Sequence, residues 1–120
     1  AEFYSKALNG LKYVKIPERE PAGLRSSWHL YVLRIDFKGL KTSRENLMRV
    51  LAAHGILTQV HYMPVTLQPY YQRRFGFKST DFPAALSFYE EALSIPIYPA
   101  MSASDTRKVA HGIQRLVGGY

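Results

Sequence analysis

The sequence predicts a two-layer α/β (α+β) fold in which a small, mainly antiparallel sheet is covered by helices. Three observations predict it. The periodicity of apolar residues alternates between strand-like runs and helical spacing in the order helix end, strand, strand, helix, strand, helix, strand, helix. Two helix starts carry capping signatures, Thr42-Ser43-Arg44-Glu45 and Ser102-Ala103-Ser104-Asp105. The chain is also long enough, at 120 residues with 47% apolar side chains, for one core that buries roughly 65% of the surface an unfolded chain exposes.

Phe3 to Gly10 reads as the tail of a helix with Gly10 just beyond its end, so the chain is expected to begin inside an element that starts further upstream. Leu11 to Ile16 is a candidate short strand. The polar connection Pro17 to Gly23 follows, broken by proline and glycine. Trp28 to Phe37 is the clearest strand, and its bulky residues occupy both alternation sets, which predicts cover on both faces. The first capping signature places Thr42 as the cap of a helix from Ser43 to His54, with Leu47, Val50, Leu51 and His54 on one face. Gly55 stops that helix, and Ile56 to Val60 is strand-like.

Pro64 and Pro69 then predict a stiff loop, because each fixes φ and removes a backbone donor. A helix from Phe82 to Leu93 carries Phe82, Ala85, Leu86, Tyr89 and Leu93 as its expected inward stripe, and Pro83 is tolerated in its first turn. Ser94 to Tyr98 reads as a strand stopped by Pro99. The last helix starts at Ser102, directs Val109, Ile113, Leu116 and Val117 to the core, and ends at Gly118-Gly119.

Composition excludes several functional classes. Cysteine is absent, so neither a disulfide framework nor a thiolate metal site is available, and a cytoplasmic location is expected. No apolar run approaches the roughly 20 residues of a membrane span, and the N-terminus lacks a signal-peptide pattern. The net charge of +7 raises the alternative of a basic α/β nucleic-acid-binding module. The sixteen basic residues are scattered, however, and no basic run is interleaved with aromatics. An anionic small ligand or an acidic face on another domain explains the charge equally well. The four histidines lie far apart without ligand spacing, so no metal site is expected. Phosphate-loop, dinucleotide and serine-hydrolase signatures are missing as well.

The chemistry-bearing candidates cluster in Gln59-Val60-His61-Tyr62-Met63-Pro64 and Leu67-Gln68-Pro69-Tyr70-Tyr71. Where a strand runs out into a proline-bounded turn, neighbouring side chains point in different directions, so one of His61 and Tyr62 can face a ligand while the other supports it. A lone histidine is more often structural than a ligand contact, and the residues alone leave both readings open. Aromatics such as Tyr70 and Tyr71 commonly pack a loop against its domain. His29 inside a covered strand reads as a hydrogen-bonded core histidine. His54 at a helix end is explained by the macrodipole, and His111 reads as surface.

These two segments, with Trp28-His29-Leu30-Tyr31, resemble the C-terminal part of the DegT/DnrJ/EryC1/StrS family of pyridoxal-phosphate-dependent sugar aminotransferases, and the likeness covers nearly the whole chain. The resemblance implies the small C-terminal domain of a fold-type I aminotransferase, with residues 1–10 as the end of a connecting helix and 11–120 as the domain. It implies an enzyme that moves an amino group from glutamate to a UDP-linked 4-keto-6-deoxy sugar in surface-polysaccharide or flagellin-glycan biosynthesis. The Leu-Gln-Pro-Tyr-Tyr run is similar to that of the pseudaminic-acid sub-group.

By the same resemblance Gln59, His61 and Tyr62 face the sugar, with Gln68 and Tyr70 at the rim. Thr66 stands where the family has a second histidine, so a contact that needs that imidazole is not expected here. Pyridoxal 5'-phosphate chemistry requires a Schiff-base lysine, an acid at the pyridine nitrogen and a phosphate cup. The family carries all three in the N-terminal domain, and none of the seven lysines here stands in the matching motif. The implied partners are therefore that cofactor domain, the nucleotide sugar, glutamate and a second copy in a homodimer, with no nucleic acid and no membrane. The chain alone is expected to be inactive. The remaining alternative is a non-catalytic assembly domain that kept the fold and lost the chemistry.

Overall fold

A computed structural model describes residues 1–18 and 20–118. Its elements in chain order are α1 (Glu2–Leu8), β1 (Val14–Lys15), β2 (Tyr31–Ile35), α2 (Arg44–Ala53), α3 (Pro69–Phe75), α4 (Pro83–Glu91), β3 (Ala92–Ile95) and α5 (Ala103–Val117), with single 3-10 turns at Val65–Leu67 and Ser79–Asp81. The three strands form one antiparallel sheet in the order β1-β2-β3. Val14 pairs with Ile35, and Tyr31, Val32, Leu33 and Arg34 pair with Ile95, Ser94, Leu93 and Ala92.

Directly paired residues share a face of the sheet, so this register sorts the side chains. Tyr31, Leu33, Ile35, Leu93 and Ile95 enter the core together with Tyr4 and Leu8 of α1, Leu47 and Leu51 of α2, and Val109, Ala110, Ile113 and Val117 of α5. Val32, Arg34 and Ser94 take the opposite face. The predicted layering is present, with α1, α2 and α5 on one side of the sheet. On the other side Arg34 forms an ion pair with Glu91 of α4 at 2.7 Å and lies 5.7 Å from the Phe88 ring centroid.

Both capping predictions can be checked. Ser102 and Asp105 form the expected reciprocal box, the Ser102 hydroxyl accepting from the Asp105 amide at 3.0 Å while the Asp105 carboxylate accepts from the Ser102 amide at 3.0 Å. At α2 the cap is Ser43, not Thr42. Ser43 accepts from the Asn46 amide at 3.1 Å, and Thr42 accepts instead from the Asn46 side chain at 3.0 Å. The Thr42 amide is bonded to the Phe37 carbonyl and closes the preceding turn, which moves the helix start one residue on. The helix ends as expected, with Gly55 at φ +70, a conformation that costs a residue with a Cβ far more than it costs glycine.

Five other expectations are corrected. The strand predicted over Leu11–Ile16 contracts to Val14–Lys15. β2 covers only part of Trp28–Phe37, and its second face, Val32 and Arg34, is half-buried and not fully covered. Ile56–Val60 makes one bridge, Gln59 to Ser94, because continuing that ladder would pair Leu57 with Pro96, which has no N–H to give. The ladder fails in the other direction too, as the Ala92 amide is already bonded to Phe88 at the end of α4.

The segment Pro69–Phe75 is a helix and not a loop: Pro69 occupies its first turn, where a missing donor costs nothing, and Gly76 ends it at φ +72. Finally, α4 stops at Glu91, so its helical spacing never reaches Leu93. Of the expected stripe, Leu86 and Tyr89 are half-buried and Phe82 and Ala85 are exposed, whereas Leu93 enters the core from β3, which begins at Ala92 and stops before Pro96. The predicted helix end at Gly118-Gly119 is met at Gly118; Gly119 lies outside the described residues.

Candidate active-site cleft

His61 sits where the bridge at Gln59 turns away toward Pro64. Gln59 exchanges two backbone hydrogen bonds with Ser94, at 3.0 and 2.8 Å, and this exchange fixes the direction in which the chain leaves the sheet. Two residues on, the His61 ring turns back over the strand, with Nδ1 2.9 Å from the Ser94 hydroxyl. Tyr62 turns outward and is 74% exposed. Its ring meets His61 edge to face, with centroids 4.7 Å apart, and the peptide bond joining the two residues is cis. Of this pair, then, His61 is anchored to the sheet and Tyr62 is presented to solvent.

A cleft of ≈ 420 Å³ opens beside this anchor. Gln59, His61 and Ser94 line it with His29, Tyr98 and Lys108, over an apolar floor that includes Ile95 and Val109. His29 is exposed there and is not the core histidine predicted, because β2 starts two residues further on, at Tyr31. Lys108 is positioned by the end of α2: a Cβ on Gly55 would lie 3.0 Å from its ammonium nitrogen, so the cation sits over the negative end of that helix.

Asp105 also lines the cleft, but both its bonds go to Ser102. These bonds, from the Ser102 side chain and then its backbone, hold the Asp105 carboxyl below its ordinary pKa. It is a helix cap, not a free acid. The other predicted residues lie elsewhere. Gln68 precedes α3, and Tyr70 on α3 is 62% exposed; neither lines the cleft. Thr66 is half-buried, and its hydroxyl oxygen has no hydrogen-bond partner among the described residues.

Sequence reasoning missed Ser94, Tyr98 and Lys108. Ser94 did leave a signal, as a lone hydroxyl between Leu93 and Ile95 in an apolar run. Lys108 left none, since its place in the cleft depends on how α5 crosses the end of α2.

The chain matches the DegT/DnrJ/EryC1/StrS aminotransferase family over residues 1–114. It belongs to that family. The spore coat polysaccharide biosynthesis protein SpsC of Bacillus subtilis is 42% identical over 96 residues, covering 79% of this chain and 25% of SpsC. Among solved structures, the PLP-form of the sugar aminotransferase Spr1654 of Streptococcus pneumoniae superposes with a TM-score of 0.84 at 25% identity, over 97% of this chain and 29% of that one. PseC of Helicobacter pylori, an aminotransferase of pseudaminic acid biosynthesis, superposes at 0.83 over 98% of this chain and 30% of its own; at 24% identity the likeness is one of fold. The chain thus spans between a quarter and three-tenths of the length of these relatives.

The cleft residues do not by themselves fit pyridoxal phosphate. Among the described residues Lys108 is the only lysine lining it, and the Asp105 carboxylate is committed to its cap. What the cleft offers is a set of hydrogen-bonding groups over an apolar floor, with the Lys108 cation beside them.

Proposed function

We propose that this chain is the small C-terminal domain of a pyridoxal-phosphate-dependent nucleotide-sugar aminotransferase. The complete enzyme transfers an amino group from glutamate to a UDP-linked 4-keto-6-deoxy sugar destined for a surface polysaccharide or flagellin glycan. In this reading residues 1–10 end a connecting helix, 11–120 form the domain, and an N-terminal domain outside this chain holds the cofactor. The enzyme works as a homodimer in the cytoplasm; no helix described here is long and apolar enough to cross a membrane.

Gln59, His61 and Tyr62 contact the sugar, and Gln68 and Tyr70 stand at the rim of the assembled site. One observation carries the reading: the family match runs through a segment whose histidine is anchored on the sheet beside an open cleft. The chain's share is to orient the sugar and exclude water from one side of the reaction.

The test uses the complete protein, with the upstream sequence restored, and the isolated chain beside it. The complete protein is expected to bind pyridoxal phosphate covalently and to aminate the keto-sugar at the expense of glutamate; the isolated chain does neither. His61→Ala in the complete protein is expected to lower kcat/KM for the sugar while cofactor absorption stays unchanged. Covalent cofactor binding by the isolated chain would refute the division of labour. A His61→Ala variant with a lower Tm but normal kinetics per folded molecule would refute the sugar contact.

A further inference from the structure

The geometry points to Ser94 as the residue that sets the proton of His61. Ser94 is 5% exposed, and its hydroxyl makes a single side-chain hydrogen bond among the described residues, to His61 Nδ1 at 2.9 Å. Two arrangements fit that distance. In one, Nδ1–H donates to the serine oxygen; the serine proton then has no protein acceptor among the described residues. In the other, the serine O–H donates to a bare Nδ1, and both groups are satisfied.

A buried donor without an acceptor costs much more than a hydroxyl oxygen with a spare lone pair, so the second arrangement is the one the fold selects. Neutral imidazole carries one proton. With Nδ1 occupied as acceptor, that proton sits on Nε2, and the ring offers an N–H donor on the side away from Ser94. The backbone exchange between Gln59 and Ser94 holds the two partners in register, so Ser94 acts as a positioning residue, through His61.

Its consequence for turnover rests on the function proposed above: the N–H would donate to a sugar or phosphate oxygen in the cleft, where an Nδ1–H tautomer would present a lone pair and repel it.

Imidazole nitrogen NMR on this chain, at a pH where His61 is neutral, reads the tautomer without any assumption about function. The expected spectrum has His61 Nε2 protonated and Nδ1 bare, and Ser94→Ala converts it to a mixture of both tautomers with the fold preserved by circular dichroism. A wild-type ring protonated on Nδ1, or a tautomer unchanged in Ser94→Ala, overturns the assignment.

The second arm uses the complete protein and the keto-sugar. Ser94→Ala is expected to lower kcat/KM by roughly two- to tenfold, the range of one hydrogen bond, and to add nothing in a His61→Ala background. An equal further loss in that background shows that Ser94 acts independently of His61 and overturns the positioning role. Complete protein that aminates no sugar defeats the functional reading, while the NMR result still decides the tautomer.

Discussion

Raising the pH should destabilise this domain through Tyr4, and Tyr4→Phe should remove that contribution. Tyr4 is 1% exposed; its hydroxyl donates to the Pro96 carbonyl at 2.8 Å, and its ring meets Tyr31 edge to face at 5.2 Å. Burial, followed by the nearby Tyr98, Asp105 and Tyr31, pushes its pKa up to about 12 from 10.0. The folded state therefore keeps the phenol proton at a pH where the unfolded chain has lost it. The resulting stabilisation is fully present below about pH 10 and is lost as pH rises toward about 12.

Linkage over that window gives a loss of about 1.4 kcal/mol by about pH 11 and between about 2 and 3 kcal/mol once both states are ionised. Tyr4→Phe forfeits the bond to Pro96, worth about 1 kcal/mol, but has no proton to lose. Urea unfolding of this chain at about pH 8 should thus find the variant weaker by about 1 kcal/mol, and at about pH 11 the gap should close or reverse. A gap that stays constant across that range, with unchanged m-values, would refute the account. Tyr31, whose pKa burial also raises, is present in both proteins and cancels from the comparison.

Two further expectations concern packing and caps. Gly112→Ala places a methyl 2.4 Å from Ile56 Cδ1, so it should destabilise by about 1 kcal/mol despite alanine's better helix propensity; combined with Ile56→Val, which deletes the opposing carbon, the same change should become stabilising in chemical denaturation. Ser102→Ala should cost about 1 kcal/mol as an N-cap loss, and it should flatten the acid limb of the stability curve. The sign follows from Asp105, whose carboxyl Ser102 holds low, so its contribution is present above the ordinary carboxylate range and lost as pH falls below that range through the lowered folded value. An unchanged acid limb in the variant would count against that link.

The elements legible in the sequence are those whose signals are local. The box at Ser102 and Asp105 and the stripe from Val109 to Val117 announce α5, because cap and periodicity both lie within one helix. β2 is legible from its dense β-branched and aromatic run. What was illegible depends on partners distant in sequence. Pro69 ends elements in most contexts, and only its place at the first turn of α3 makes it an initiator. The strand-like Ile56–Val60 fails for want of an N–H on Pro96, some forty residues away in a partner no local pattern names. His61 could be singled out from the turn around it, but its anchor could not, since Ser94 lies 33 positions further along the chain, beyond two helices. His29 was misplaced by a three-residue error in where β2 begins, at Tyr31 and not Trp28, enough to move a side chain from core to cleft.

β3 shows why stability and site cannot be separated in this chain. Its four residues alternate between two duties, Leu93 and Ile95 filling the core while Ser94, between them, holds His61 from the other face. A slip of one residue in its register with β2 would exchange the faces, putting a hydroxyl into the core and a leucine under the imidazole. The pairing of Leu33 with Leu93 and Tyr31 with Ile95 resists that slip with the full energy of core burial, so the histidine is positioned by the most stable part of the molecule. Tyr62 and Tyr70 have no such tie. They stand exposed on a turn and a short helix that contribute nothing to the main core, so substitutions there should leave the fold intact.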